Sequence, residues 1–332
     1  MRSAAWPSPG QWDSVLDAEG KPRAPNEDER GWILSQVPTL KKLIKRKPPP
    51  KLYHYTSAGG LQGILSTRTL RAGNSGFMND LSEMELVYDV AKQALIDAEW
   101  PHPARFLEKL EDKEVPPRFS GTFMFSLSED GDSLEQWRSY TPPEGGYAIG
   151  LTRKRIHHIA ATHEAQLVPC SYAPEEHKAI LAEAVRAFKM MRDGLRLSEV
   201  QPSQIETDSF VIWALVDFLY EYAPVLKHSS FSTEREWRLV RRVPELPEVL
   251  VKFYDRAGLV CPYFELALSN DGDFEWRSSK ENRQVDVIIS PRDDPETARQ
   301  GVRWMFENSK AGWNYKLEEG RVEPSAIPFR TR

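Results

Sequence analysis

Glu234 and Glu236 stand one residue apart in Ser232-Thr233-Glu234-Arg235-Glu236-Trp237-Arg238-Leu239-Val240. Along a strand, alternate side chains share a face. A strand starting near Glu234 therefore places Glu234, Glu236, Arg238 and Val240 on one side, with Trp237 and Leu239 anchoring the other in the core. Two converging carboxylates beside a guanidinium can stabilise a developing positive charge or hold a sugar hydroxyl. The same alternation fits an edge strand with solvated charges, and the residues alone leave both readings open.

A second stretch, Leu52-Tyr53-His54-Tyr55-Thr56-Ser57, joins aromatic and β-branched residues that suit a short strand. An interior histidine between two tyrosines is a costly way to fill a core. A third, Trp137-Arg138-Ser139-Tyr140, leads to the glycine-flanked run Gly146-Tyr147-Ala148-Ile149-Gly150. Its aromatic residues can wall a cleft or pack as core, and the glycines imply a close approach to the strand backbone. His157, His158 and His163 are spaced five and six apart, which does not stack them on one helical face as a helical zinc pair requires. No metal is expected there. Neither a Gly-x-Ser-x-Gly elbow nor a Gly-x-Gly-x-x-Gly or Walker-type loop occurs.

These residues need elements to hold them. The patterns predict strands at Leu52–Thr56, Thr69–Ala72, Gly121–Ser128 and Gly146–Leu151, and again at Glu236–Val243, Val249–Tyr254, Leu259–Leu266 and Val285–Ile289. A terminal strand is expected near Asn314–Leu317. Helices are predicted at 81–99, where Asp80 and Glu83 form a capping-box-like pair, at 134–140, and at 294–307. Residues 174–223 read as a helical insertion. The expected organisation is an N-terminal extension, 1–48, docked on a single α+β domain, 49–332.

The 332 residues are 40% hydrophobic and 28% charged, with a net charge of −5. Such a balance suits a globular chain and argues against a surface that grips nucleic acid all over. Two cysteines, Cys170 and Cys261, cannot build a disulfide framework. The most apolar window, Phe210 to Tyr220, is too short to span a bilayer and is interrupted by Asp217. The expectation is a cytoplasmic protein without membrane partners.

Several landmarks then fall in one order. They are Leu52-Tyr53-His54-Tyr55-Thr56-Ser57, Met78-Asn79-Asp80-Leu81-Ser82-Glu83, Phe125-Ser126, Trp137-Arg138-Ser139-Tyr140, Gly146-Tyr147-Ala148-Ile149-Gly150, Glu234-Arg235-Glu236-Trp237-Arg238 and Ser325-Ala326-Ile327-Pro328-Phe329-Arg330. The string resembles a bacterial family of unknown function over about residues 50 to 330. It departs at Pro142–Gly145, where such sequences often carry a histidine before the glycine. More distantly, a first-strand histidine followed by Thr/Ser, an aromatic strand and a late Glu-x-Glu resembles the ADP-ribosyltransferase superfamily.

That resemblance implies two small, mostly antiparallel β-sheets forming a cleft, with surrounding helices, and NAD as substrate. Glu236 would take the catalytic carboxylate position, Glu234 would orient the acceptor, and His54 would bond a ribose hydroxyl. Tyr55, Thr56 and Arg238 would complete the NAD site, and Tyr140 or Tyr147 would stack on nicotinamide. It implies a glycosyltransferase-class enzyme acting on a protein or nucleic acid, as a toxin or phage-defence effector. Two rival readings stand beside it. One is a non-catalytic nucleotide- or nucleic-acid-binding module using the basic run 41–47 and Arg153-Lys154-Arg155. The other is a metal-dependent nuclease using Asp80, Glu83 and the paired glutamates.

Overall fold

The computed structural model describes residues 25–77, 81–100, 121–196, 204–243, 251–256, 258–268, 285–308 and 322–328. In chain order the elements are α1 (Glu27–Ser35), α2 (Pro38–Ile44), β1 (Lys51–Thr56), α3 (Ala58–Thr67), β2 (Thr69–Asn74), α4 (Leu81–Asp97), β3 (Thr122–Ser128), α5 (Leu134–Tyr140) and β4 (Tyr147–Thr152). They continue as α6 (Arg153–Thr162), β5 (Gln166–Pro169), α7 (Pro174–Arg196), α8 (Gln204–Tyr222), β6 (Glu236–Arg242), β7 (Val251–Arg256), β8 (Leu259–Ala267), β9 (Val285–Ile289), α9 (Pro295–Asn308) and β10 (Val322–Pro324). The fold is α+β with a mostly antiparallel open sheet. The expected capping pair at Asp80 and the strand at 314–317 lie outside the described residues.

The chain divides into a helical unit, drawn from 1–46, 78–120 and 170–230, and a strand unit, drawn from 47–77, 121–169 and 231–332. In the helical unit, α7 buries Ile180, Leu181, Ala184, Val185, Phe188, Met191 and Leu195. That is the three-and-four spacing of one apolar helix face. The helices at the start of the described chain belong here. Asn26 and Glu29 form a reciprocal capping box on α1, satisfying donors at the helix start that have no intrahelical partner. Arg30 pairs with Asp217 at 2.6 Å and Glu221 at 2.7 Å, and Glu183 accepts from both the amide and the hydroxyl of Thr39. Among the described residues no helix is long and apolar enough to cross a membrane.

In the strand unit the strands follow the order β10-β9-β4-β1-β3-β2-β8-β7, with β6 added to β3 and β5 added to β6. Among the described strands only the β9–β10 pair is parallel. β3 is the branch point. One edge pairs with β6 along its whole length, from Thr122↔Arg242 to Ser128↔Glu236. The other edge is shared: β2 meets it at Phe123 and Met124, and β1 meets it through the single pair Tyr53↔Ser128. Between those contacts, residues 125–127 face an opening. The core beneath contains Leu52, Leu61, Phe123, Phe125, Leu127, Ile149, Trp237 and Leu239.

The glycines before and within β4 are explained by the chain itself. A Cβ on Gly146 would stand 2.6 Å from the Thr56 carbonyl oxygen and 2.4 Å from Thr141, and one on Gly150 would stand 2.9 Å from the Tyr53 ring. Both cysteines are buried free thiols, Cys170 in the helical unit and Cys261 in β8 of the strand unit.

Candidate functional site

The strand carrying the carboxylates begins two residues later than alternation suggests. Glu234 closes the 3-10 turn Ser229–Glu234, and Arg235 follows with φ 43°, a left-handed conformation that costs a residue with a Cβ. β6 starts at Glu236. The turn is held by β3 and its loop, where the Ser128 hydroxyl donates to the Glu234 carbonyl at 2.8 Å and the Glu129 amide to the Arg235 carbonyl at 3.1 Å. Arg235 itself pairs with Asp130 at 2.9 Å.

Glu234 and Glu236 are both buried, at 5% and 7% exposure, and each is held by a different partner. The Tyr140 hydroxyl, at the end of α5, donates to Glu234 at 2.8 Å. Arg238 grips Glu236 through two bonds, Nε at 2.8 Å and Nη2 at 2.9 Å. A guanidinium that meets both oxygens of a buried carboxylate supplies the counter-charge that water would otherwise screen. Arg238 thus serves first as the counter-charge of Glu236. Tyr140 remains 47% exposed, so its ring offers an aromatic surface next to the carboxylates.

The loop after β3, Glu129 to Ser133, ties this site together, and the sequence reading passed over it. Asp132 accepts from Trp137 Nε1 at 2.8 Å, from the Ser325 hydroxyl and from the Ala326 amide at 2.7 Å. Glu129 accepts from Trp237 Nε1 at 2.8 Å. The available signal was composition: Ser-Glu-Asp-Gly-Asp-Ser is rich in side chains that bond nearby backbone amides.

Tyr55 is committed to the same loop. Its hydroxyl donates to the Asp130 carbonyl at 2.8 Å and accepts from the Ser133 amide at 2.9 Å. Its ring meets Trp137 edge-on, centroids 4.6 Å apart, and burial raises its phenol above the ordinary tyrosine value. Thr56 opposes Tyr147 across β1 and β4, and its hydroxyl packs over Gly60 at the start of α3. Tyr147 is buried in the main core, with the Arg292 guanidinium 5.4 Å from its ring centre.

His54 occupies the opening between β1 and β3. Its Nδ1 lies 3.0 Å from the Ser126 carbonyl oxygen, and its ring is 4.3 Å from that of Phe125. A carbonyl only accepts, so Nδ1 carries the proton. The imidazole thereby replaces a missing ladder partner for Ser126. Burial lowers the His54 pKa to about 4, so the ring is neutral near pH 7 and Nε2 presents a lone pair.

The structure therefore brings Glu234, Glu236, Arg238 and Tyr140 into one neighbourhood. Strand alternation from the Tyr53↔Ser128 pair turns Tyr53 and Tyr55 toward that side, and His54, Thr56 and Tyr147 toward the core side. His54 makes no bond to Glu234, Glu236 or Tyr140. They remain near in rows: Ser126 lies between His54 and Arg238, and Ser128 between Tyr53 and Glu236. Two strand spacings make each row about 10 Å wide.

Of the histidines weighed for metal, His163 accepts from the Ala267 amide at 2.7 Å. Among the described residues no three His, Cys, Asp or Glu side chains gather as a metal site. Of the basic residues weighed for nucleic acid, Arg155 is 1% exposed and donates to the Leu268 carbonyl.

No curated protein and no solved structure matches this chain. The profile of a family described as "Protein of unknown function (DUF2971)" matches residues 136–239, a span that includes Tyr140, Tyr147, Glu234, Glu236 and Arg238 and begins well after His54.

Proposed function

We propose that the strand unit is an ADP-ribosyltransferase-like enzyme that cleaves the nicotinamide–ribose bond of NAD and transfers the ADP-ribosyl group to a protein or nucleic acid. The observation that carries this reading is the thin junction between β1 and β3. Within one ten-stranded sheet, a single residue pair joins β1-β4-β9-β10 to β3, which carries β6-β5 on one edge and β2-β8-β7 on the other, and we read that thin junction as the counterpart of a cleft between two small sheets. At that junction stand the buried Glu234 and Glu236, with the exposed ring of Tyr140 alongside.

The chemistry suits such a site. Loss of nicotinamide passes through an oxocarbenium-like state. A carboxylate on the ribose 2′-hydroxyl stabilises that charge best where water is excluded. Glu236 takes this role with Arg238 as its counter-charge, and Glu234 orients the acceptor with Tyr140. His54 with Nδ1–H bound to Ser126 cannot donate from a neutral Nε2. Turned to the core side, it holds the β3 edge in place instead of meeting the sugar, and Tyr140, exposed beside Glu234, is the better placed of the two tyrosines to stack on nicotinamide.

The test is NAD consumption and nicotinamide release by the full chain in the presence of cell extract. Glu236→Gln removes the carboxylate that Arg238 grips, at a cost of roughly 3–5 kcal/mol, so folding is followed by thermal melting. The double variant Glu236→Gln/Arg238→Met removes both charges. Wild type should release nicotinamide, and a folded double variant should lose at least about a hundredfold. A folded wild type that neither binds nor consumes NAD sinks the reading.

A further inference from the structure

A pocket of about 330 Å³ opens beyond the C-terminal ends of the parallel strands β9 and β10. Its lining includes Ser290 and Arg292 after β9, Asp293, and Ser325 and Ile327 after β10. The volume falls within the range of small-molecule sites. It lies within the strand unit, and neither Glu234 nor Glu236 lines it.

Arg292 gives the pocket its chemistry. Its Nη2 donates to the Ser290 hydroxyl oxygen at 3.2 Å and, more weakly, to the Gly146 carbonyl at 3.4 Å. Its Nε is buried and makes no hydrogen bond among the described residues. No carboxylate stands within ion-pair distance of it there. A guanidinium held by neutral oxygens, with no carboxylate to neutralise it among the described residues, suits an oxyanion in the pocket.

The backbone is arranged to permit this placement. Gly145 has φ 112°, and a Cβ on it would fall 2.5 Å from Arg292 Nη2 and 2.8 Å from Ser290 Oγ. The Ser290 hydroxyl oxygen already accepts from the Gly146 amide at 2.8 Å, so its own proton remains to be donated. The helix start nearby does not supply the charge. Asp294 occupies it, accepting from the Thr297 amide at 3.0 Å, and that bonding holds the Asp294 carboxyl below the usual carboxylate range. Asp293, exposed on the lining, opposes an anion and sets a limit on affinity.

We infer that this pocket binds a diphosphate group through Arg292 and Ser290. The inference does not rest on the NAD reading, because it concerns a different set of residues and asks for no reaction. The test is calorimetric titration of the full chain with inorganic pyrophosphate, ADP and adenosine at low and high salt. Pyrophosphate should bind saturably, and more weakly as salt rises. Arg292→Gln should weaken binding about tenfold or more, and Asp293→Asn should strengthen it severalfold. ADP binding tighter than pyrophosphate assigns the group to a nucleotide, and equal binding assigns it to the phosphates alone.

Adenosine binding as well as ADP, or no saturable binding of pyrophosphate at millimolar concentration, overturns the proposal. So does a folded Arg292→Gln protein of unchanged affinity. If that variant does not fold, hydrogen exchange of the wild type decides the matter. Pyrophosphate must slow exchange at 290–293 and 325–327, and protection only elsewhere refutes the site. NAD turnover in a protein that ignores pyrophosphate would separate the two readings.

Discussion

At the scale of single residues, His54 shows how a site-like side chain can also be structural. Its proton serves the Ser126 carbonyl, on a stretch of β3 edge between the β2 pairs and the Tyr53↔Ser128 pair, where no described strand pairs with it. The pKa is lowered from 6.5 to about 4 by burial, so between those values the unfolded chain binds the proton and the folded chain does not. Stability from this residue is complete above about pH 6.5 and falls as the pH drops toward 4, by about 3 kcal/mol at most. Burial also lowers His163 and His177, so they add loss of the same sign. Urea midpoints at pH 7 and pH 5 should therefore differ in the wild type. His54→Gln, which keeps a donor for Ser126, should show a smaller difference. An unchanged difference would mean that His54 is not held neutral.

The sequence made the chemistry of these residues legible, but not their partners. Glu-x-Glu and a strand histidine were visible as types and spacings. Alternation placed Arg238 beside Glu236, but that Tyr140 would reach Glu234 from 94 positions away involves the turn that ends at the left-handed Arg235. Nothing in Glu-Arg-Glu announces that turn, since the residue lacks the usual glycine or asparagine signal. A second prediction follows for Tyr140→Phe. Its ring is largely exposed, so the stability change should stay near 1 kcal/mol, the usual worth of one hydrogen bond. Nicotinamide release should fall more steeply than that figure accounts for. Equal activity in the two proteins would remove the hydroxyl from the proposed site.

Among the elements, periodicity served well wherever one face is buried. The strands around 122–128, 147–152, 259–267 and 285–289 and the helices at 134–140 and 295–308 lie within a residue or two of their expected bounds. What periodicity could not give was pairing, because a register is fixed by partners distant in sequence. β3 reads as an ordinary half-buried strand, yet three strands use its two edges. The glycines of β4 were legible as points of close approach, and the approaching groups prove to be Thr56, Thr141 and Tyr53. Gly146→Ala should accordingly cost about 1–3 kcal/mol in urea unfolding, since the Thr56 carbonyl cannot yield as a flexible side chain would. A neutral effect would show that β1 and β4 can slide apart at that point.

For the whole molecule, composition was a sound guide to class and a poor guide to organisation. A helical block at 174–223 was readable from its apolar spacing. Its association with α1, α2 and α4 was not, since those helices share no sequence signature with it beyond an apolar face. Arg30, Thr39 and Lys189 supply the specific ties, to Asp217 and Glu221, to Glu183, and to the Ala98 carbonyl. None is a pair that spacing alone could propose.

The two thiols give the molecule an internal pair of reporters. Each unit hides one cysteine, so a thiol reagent reads the opening of each unit separately under native conditions. Cys261 lies on β8 beside the terminal strand β7, which buries none of its own residues. Cys170 sits next to Ser171, whose amide and carbonyl are tied to Val225 and Lys227. In mild urea Cys261 should be modified first, at a rate that follows fraying of the sheet end, and Cys170 later. Simultaneous modification would mean that the chain opens as one cooperative body.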